Sequence, residues 1–346
     1  MEQSLVQTLR KKRSLPDEGL RELLESDDAS LREDLFRHAR EVAQEHFGKE
    51  IYLRGLVEWS NVCRNDCLYC GIRRSNAAIP RYSLCREEIL ECCRQAWELG
   101  LRTFVLQGGE NPAAAIGLAD TVAAIRAAWP DAAITLSLGE LPRETYALLR
   151  RSGADRYLLR HESASARHYE SLHPAGMRLE TRMQCLRELR ELGFQTGTGM
   201  MVGSPGQTIG HLLADIRFIE SFRPEMIGIG PFIPQKDTPF GHFPAGSCET
   251  TLRLYAILRL MLPKALIPTT TALSTLRKDG RRAGILAGAN VIMPVFTPAM
   301  RRADYKLYEG KAALQADSAA ILQSIIDELK LIGYGPSPSR GDYNQN

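Results

Sequence analysis

No apolar run in this chain is long enough to span a membrane, and the N-terminal MEQSLVQTLRKKRSLP lacks the apolar core of a secretory signal. A chain without either is expected in the cytoplasm, where thiols stay reduced. Its eight cysteines then read as thiols or metal ligands rather than disulfides. Charge of one sign is equally scarce. The net charge is +3 over 346 residues, with Lys and Arg interleaved among Asp and Glu. That excludes the one-sided basic patch of a nucleic-acid binder, so neither nucleic acid nor membrane is an expected partner. There is no internal repeat and no low-complexity tract. What remains, 44% hydrophobic and 25% charged residues, describes a globular chain with a sizeable core.

Residues 1–50 read as helices. Pro16 stands near one helix start, and Leu31, Leu35, Ala39, Val42 and Ala43 share the face of another that Gly48 stops. Eight β-rich runs follow, at 51–59, 102–107, 133–138, 155–162, 195–202, 225–234, 265–273 and 290–296. Each interval carries a helix. One is predicted from an N-cap at Ser83 to Gly100, with Ile89, Cys92, Cys93 and Ala96 inward; LETRMQCLRELRELG ends another at Gly193. Parallel neighbours need such crossovers. The pattern therefore predicts an α/β fold, a (βα)8 TIM-type barrel at 51–310, with an N-terminal helical extension (1–50). A C-terminal helix, DSAAILQSIIDELKLIGY, and a polar tail, PSPSRGDYNQN, occupy 311–346. The tail is expected to be mobile. An open, doubly wound sheet is the alternative, because sequence alone does not show closure.

The most telling shortage is a fourth cysteine. SNVCRNDCLYCGIRRSN holds Cys63, Cys67 and Cys70 just after the first strand, on the face where barrels carry their chemistry. Structural zinc takes four ligands, usually as two paired clusters, and no second C-x2-C or Cys/His pair follows. A 4Fe-4S cluster on three thiolates satisfies three irons and leaves the fourth open. Of the other cysteines, Cys85, Cys92, Cys93 and Cys185 lie in helical stretches and read as buried structural thiols. Cys248 opens a helix, and none of the five is assigned chemistry. Gln107-Gly108-Gly109-Glu110 follows strand 2. Its glycines permit close backbone approach and Glu110 offers a carboxylate to an ammonium group, although a plain glycine turn would look the same. Arg54 and Arg160 lie in apolar strand runs, where a guanidinium is costly without an anion or carboxylate. The threonines of IPTTTAL are either β formers or hydroxyl donors.

C-x3-C-x2-C with Tyr69 before its last cysteine resembles the radical S-adenosylmethionine (SAM) superfamily. That resemblance implies SAM as the missing ligand, chelating the open iron through its amino and carboxylate groups. It also implies supporting roles for the Gly108-Gly109-Glu110 segment, for Glu162 at the end of strand 4 and for Arg182 on the helix before strand 5. From about residue 50 to 310 the chain is similar to one branch, the FeFe-hydrogenase maturase HydE family. The segments that carry the likeness are LRGLVEWSNVCRNDCLYCGIRRSN, LRHESASARHYESLHP, LGFQTGTGMMVGSPGQT, IGIGPFIPQKDTP and GANVIMPVFTP.

The resemblance implies one 4Fe-4S cluster, SAM held by Glu162, Arg182 and Met201, and a cavity of Arg54, Thr135, Ser137, Arg160, Thr270, Thr271, Met293 and Tyr305. In that cavity a 5'-deoxyadenosyl radical would act on a small anionic substrate, a cysteine-bound iron carbonyl cyanide unit, while the hydrogenase two-iron centre is built. Other hydrogenase maturases and an electron donor such as ferredoxin or flavodoxin are the implied partners. Two departures stand out. Ala313, Ala320 and Gln323 replace cysteines that many members carry for a second cluster, and Gly108 stands where serine is common. The alternatives are a methylornithine-synthase-like mutase, a biotin-synthase-like enzyme, or a non-enzymatic metal-binding maturation scaffold.

Overall fold

In the computed structural model, which describes residues 4–311 and 316–344, the β-rich runs close into one parallel barrel. The first barrel strand is β1 (Glu50–Leu53) and β2 (Gly55–Ser60), interrupted at Arg54. Then come β3 (Thr103–Gly108), β4 (Ala133–Ser137), β5 (Arg156–Leu158), β6 (Gln195–Thr198) with β7 (Met201–Val202), and β8 (Met226–Ile227) with β9 (Gly230–Pro231). Pairs such as Val57↔Leu106, Val105↔Thr135, Thr135↔Arg156, Tyr157↔Thr196 and Thr198↔Ile227 fix the register from β2 to β8. Single parallel bridges complete the circle, Met226↔Leu266 and Pro268↔Val291. From β10 (Val291–Ile292) the ring returns to β1 through Tyr52↔Val291. The open-sheet alternative is excluded.

The seventh strand is weaker than its sequence suggests. The 265–273 run makes only those bridges at Leu266 and Pro268, and Thr271–Leu276 is a short helix. Pro268 has no N–H to give to a ladder. Ser83 does not cap the following helix either. Cys85 caps Arg86–Glu98, in a capping box with Glu88, while the Ser83 hydroxyl lies 2.7 Å from that of Ser60. Cys85 is accordingly exposed rather than a buried thiol; Cys92, Cys93 and Cys185 are buried.

Strand alternation sorts the side chains. Val57, Trp59, Phe104, Leu106, Ile134 and Leu136 share a core with Ile89, Cys92, Cys93 and Ala96 of the Arg86–Glu98 helix, outside the barrel wall. Their neighbours in sequence, among them Arg54, Glu58, Gln107, Thr135 and Ser137, therefore face the axis. The N-terminal helices Leu5–Lys12, Asp17–Glu25 and Ala29–Phe47 lie in a second core with Cys248–Met261. Being covered from both sides, that last helix is buried nearly all round.

At the N-terminal end of the barrel the chain corrects another expectation. After the helix Ser318–Leu331, β11 (Gly335–Pro336) pairs with β1, and the described residues beyond it are docked as far as Tyr343 rather than mobile. The fully buried Arg156 draws them in. Its Nη2 donates to the carbonyls of Arg340 (2.9 Å) and Gly341 (3.0 Å) and to the Asp342 carboxylate (2.6 Å). A buried guanidinium requires such partners, so the tail plugs the barrel floor. Among the described residues no helix is long and apolar enough to cross a membrane.

Candidate active site at the barrel mouth

Beyond Ser60 the chain leaves the sheet and presents Cys63, Cys67 and Cys70 in a loop pinned to its surroundings. Arg64 N donates to Glu110 O (2.8 Å), Leu68 N to Leu172 O (2.9 Å) and Gly71 N to Leu307 O (2.9 Å). Burial raises all three thiol pKa values, Cys70 to about 12. After burial, the next causes at Cys67 are the Cys70 and Cys63 sulfurs themselves, so the three share one pocket. Thiolates that disfavour one another in this way are relieved by a cationic iron-sulfur core. Among the described residues no three His, Cys, Asp or Glu side chains converge as a single ion would need. A cubane fits better, because each sulfur then meets a different iron. Gly109 belongs to this fit. A Cβ there would lie 2.8 Å from Cys63 Cβ and 2.5 Å from Val62 O, so only glycine lets strand 2 pass under the loop.

A chain of ion pairs surrounds the cysteines. Glu110 Oε1 accepts from Arg64 Nε (2.9 Å) and Nη2 (2.8 Å), and its Oε2 from the Glu140 N–H (2.7 Å). Glu140 Oε1 accepts from Arg182 Nε (2.7 Å) and from the Tyr169 hydroxyl (3.4 Å). Arg182 Nη1 donates to Arg160 O (3.2 Å), and Arg160 Nη2 to Glu162 Oε2 (2.7 Å). Arg182 is thus no surface arginine. Burial opposes its charge, but the neighbouring carboxylates of Glu140 and Glu110 favour it and hold it protonated. Glu140 escaped the sequence reading, yet Gly139-Glu140 after strand 3 repeats the Gly109-Glu110 doublet after strand 2. Glu162 has φ +62°, a left-handed conformation that a glutamate adopts only where the fold enforces it. Its N–H donates to Gly199 O (3.0 Å), which fixes the turn.

Opposite lies an apolar wall of Met201, Leu172 and Phe232 with Tyr69 against it. The Tyr69 hydroxyl is 3.2 Å from His173 Nε2, and His173 Nδ1 is 2.7 Å from Tyr169 O. A carbonyl can only accept, so Nδ1 carries the proton and Nε2 accepts from Tyr69. Burial keeps His173 neutral, with its pKa lowered to about 3. Gly108 faces away from this wall. A Cβ on it would lie 2.5 Å from Trp59 Nε1, so the indole fills the space that a serine would use.

Further down the axis sits Arg54, only 4% exposed. Its Nη1 is 3.2 Å from Met226 Sδ, while Nε and Nη2 have no partner. Burial and then the charge of Arg156 depress its pKa, and Asp342 partly offsets them. Thr135 Oγ1 and Arg160 Nε are also buried without partners. Ser137 is in register with Gln107, whose Nε2 donates to the buried Tyr305 hydroxyl (3.3 Å). Met293, level with Arg54 on the neighbouring strand, packs on the cluster of Met226, Leu266 and Val291. Thr270 caps the short helix, and its Oγ1 is what a Cβ on Gly230 would meet at 2.8 Å; Thr271 is exposed. A pair the sequence reading missed closes the upper lumen, where Lys311 Nζ binds the buried Glu58 carboxylate and donates to Tyr305 O (2.9 Å). Of the positions of an optional second cluster, Ala313 lies outside the described residues. Ala320 and Gln323 are exposed on the C-terminal helix.

Comparison with known proteins agrees with this geometry. Residues 57–219 match the Radical SAM superfamily. The chain is 42% identical over 331 residues to the FeFe hydrogenase maturase subunit HydE of Thermotoga maritima, covering 95% of this chain and 94% of that protein. It is 30% identical over 329 residues to 3-methylornithine synthase of Methanosarcina acetivorans, covering 94% and 91%. The crystal structure of methylornithine synthase (PylB) superposes with a TM-score of 0.84 at 26% identity, over 96% of this chain and 97% of that one. With the cysteine loop, the ion pairs around it and a relative 42% identical over 95% of this chain, the chain belongs to the FeFe-hydrogenase maturase HydE family of the radical SAM superfamily, enzymes that use a 4Fe-4S cluster and S-adenosylmethionine.

Proposed function

We propose that this enzyme acts in FeFe-hydrogenase maturation on a small anionic substrate held in the barrel lumen by Arg54. The unpartnered guanidinium carries the reading. A buried arginine with two idle donor nitrogens is costly, and an anion there would offset that cost. Thr135, Ser137, Arg160 and Thr270 would add donors around it, and Met293 and Tyr305 would shape the cavity. Its substrate would be the cysteine-bound iron carbonyl cyanide unit named above, delivered by another hydrogenase maturase.

At the mouth, Cys63, Cys67 and Cys70 would hold three irons and leave the fourth for SAM. When bound, cluster and SAM together supply a 5'-deoxyadenosyl radical by one-electron cleavage of the sulfonium bond. Arg182 would donate to the SAM carboxylate, and the Gly108-Gly109-Glu110 edge and Glu162 would receive SAM's amino and hydroxyl groups. Tyr69 and Met201 would wall the adenosyl moiety against water. A ferredoxin or flavodoxin in the cytoplasm would supply the electron. Barrel (51–310), helical extension (1–50) and C-terminal segment (311–346) would work as one unit.

Arg54→Met tests the reading. Arg160 is a poorer probe, because Glu162 already matches its charge. The variant should form 5'-deoxyadenosine slowly without substrate, yet lose hydrogenase activation in a complete maturation assay. Activation at the wild-type rate would refute the anion site. Wild-type protein that cleaves SAM but never supports activation would instead favour a mutase acting on an amino acid.

A further inference from the structure

The loop from Asn61 to Asn76 contains neither helix nor strand, and one side chain outside it sets its shape. Arg81 Nη1 donates to the carbonyls of Asn61 (2.7 Å) and Ile72 (2.8 Å). Its Nη2 donates to those of Arg73 (2.5 Å), Asn76 (3.0 Å) and, more weakly, Arg74 (3.5 Å). Asn61 precedes Cys63, and the other four residues follow Cys70. A single guanidinium therefore ties the two ends of the cysteine loop together and satisfies carbonyls that secondary structure leaves idle. Arg73 and Arg74 share the Asp66 carboxylate. Arg81 differs from them: among the described residues it takes part in no ion pair, and its partners are neutral carbonyls. Two of those carbonyls, of Asn61 and Ile72, lie two residues from Cys63 and Cys70, so the guanidinium stands beside the cysteine pocket.

We infer that Arg81 is a positioning residue with two effects: it clamps the cysteine loop, and its unneutralised charge raises the reduction potential of the cluster those cysteines hold. Uptake of one electron from an external reductant adds one negative charge to the cluster and breaks no bond. A fixed cation nearby stabilises the reduced state more than the oxidised one. The inference rests on Cys63, Cys67 and Cys70 being the iron ligands.

The test uses the reconstituted full chain as wild type, Arg81→Lys and Arg81→Gln. Two quantities are read, the midpoint potential from a dithionite titration followed by electron paramagnetic resonance without SAM, and the rate of iron loss to a chelator. Arg81→Gln removes the charge. At a fixed applied potential its ratio of reduced to oxidised cluster should fall on the order of tenfold, about 59 mV for a one-electron couple, and iron should leave faster. Arg81→Lys keeps the charge but cannot span both loop ends, so it should lose iron faster at nearly the wild-type potential. An Arg81→Gln potential equal to wild type overturns the electrostatic effect; unchanged iron loss in both variants overturns the clamp. Should Arg81→Gln take up no iron, the clamp is supported and Arg81→Lys decides the rest, since a tenfold drop despite the retained charge overturns the electrostatic effect. Wild-type protein that binds no iron would overturn the ligand assignment itself.

Discussion

Replacing Arg182 by Met removes two things at once, and the structure shows how to separate them. One is the internal pair, a buried guanidinium whose Nε lies 2.7 Å from Glu140 Oε1. Breaking such a pair from one side leaves a buried carboxylate uncompensated and costs roughly 3–5 kcal/mol. Removing both charges costs far less, so the double variant Arg182→Met with Glu140→Gln should recover most of that loss. The other is the contact proposed to SAM. A charged hydrogen bond to ligand contributes roughly 1.5–3 kcal/mol, about ten- to a hundredfold in affinity. The reconstituted proteins would be compared by urea unfolding and by calorimetric SAM titration. Single and double variants should bind SAM equally poorly, while only the single variant is strongly destabilised. If the double variant regained both stability and wild-type affinity, Arg182 would only support Glu140, and its assignment to SAM would be wrong.

Two further outcomes follow from packing and burial. Gly108→Ser should destabilise by roughly 1–3 kcal/mol in a thermal melt, because its Cβ would sit 2.5 Å from Trp59 Nε1. Trp59→Phe should relieve most of that, and an equal loss in the Phe background would refute the overlap. Burial holds His168 to a pKa of about 4 and His173 to about 3, against an ordinary 6.5. The unfolded chain therefore takes up protons first as pH falls. Stability should be full above 6.5 and decline through the window below it, by at most about 1.4 kcal/mol per unit for each histidine. His168→Gln should flatten the dependence of the urea midpoint on pH between 6.5 and 4; an unchanged slope would show that other groups cause it.

Local signals in the sequence carried the barrel well and its floor poorly. Eight alternating runs and three spaced cysteines are short-range patterns, and they survive as β1 to β10 and one shared thiol pocket. The misjudged elements are those set by partners far away in the chain. PSPSRGDYNQN is polar and rich in turn formers, which reads as disorder, but Arg156 lies some 180 residues upstream and supplies the buried donors that hold it. Ser83 looks like a helix cap until Ser60 claims its hydroxyl from the neighbouring strand. Arg182 could not be told from a surface arginine, because Glu140, its partner, belongs to another loop. The unpaired state of Arg54 was foreseeable only as a cost, since no local pattern reveals which carboxylates a fold will bring near.

Charge is arranged by depth along the barrel axis, and the arrangement explains why the tail matters to a pocket it does not line. At the mouth the cations are matched: Arg64 by Glu110, Arg182 by Glu140, Arg160 by Glu162 and Lys311 by Glu58. At the floor Arg156 is matched by Asp342. Between them Arg54 alone, of these six, meets no carboxylate among the described residues. Arg156 is near enough to disfavour its charge, and Asp342 counteracts that effect. Without Asp342 two buried guanidinium groups, Arg156 at the floor and Arg54 above it, would lose a carboxylate that offsets their charge, an arrangement that favours water entry from below. By neutralising Arg156, the tail leaves the lumen with one unmatched positive charge, set below the mouth where SAM is proposed to be cleaved. An anionic substrate drawn to that charge would lie deeper in the lumen than the cluster, with the adenosyl group of SAM placed between them.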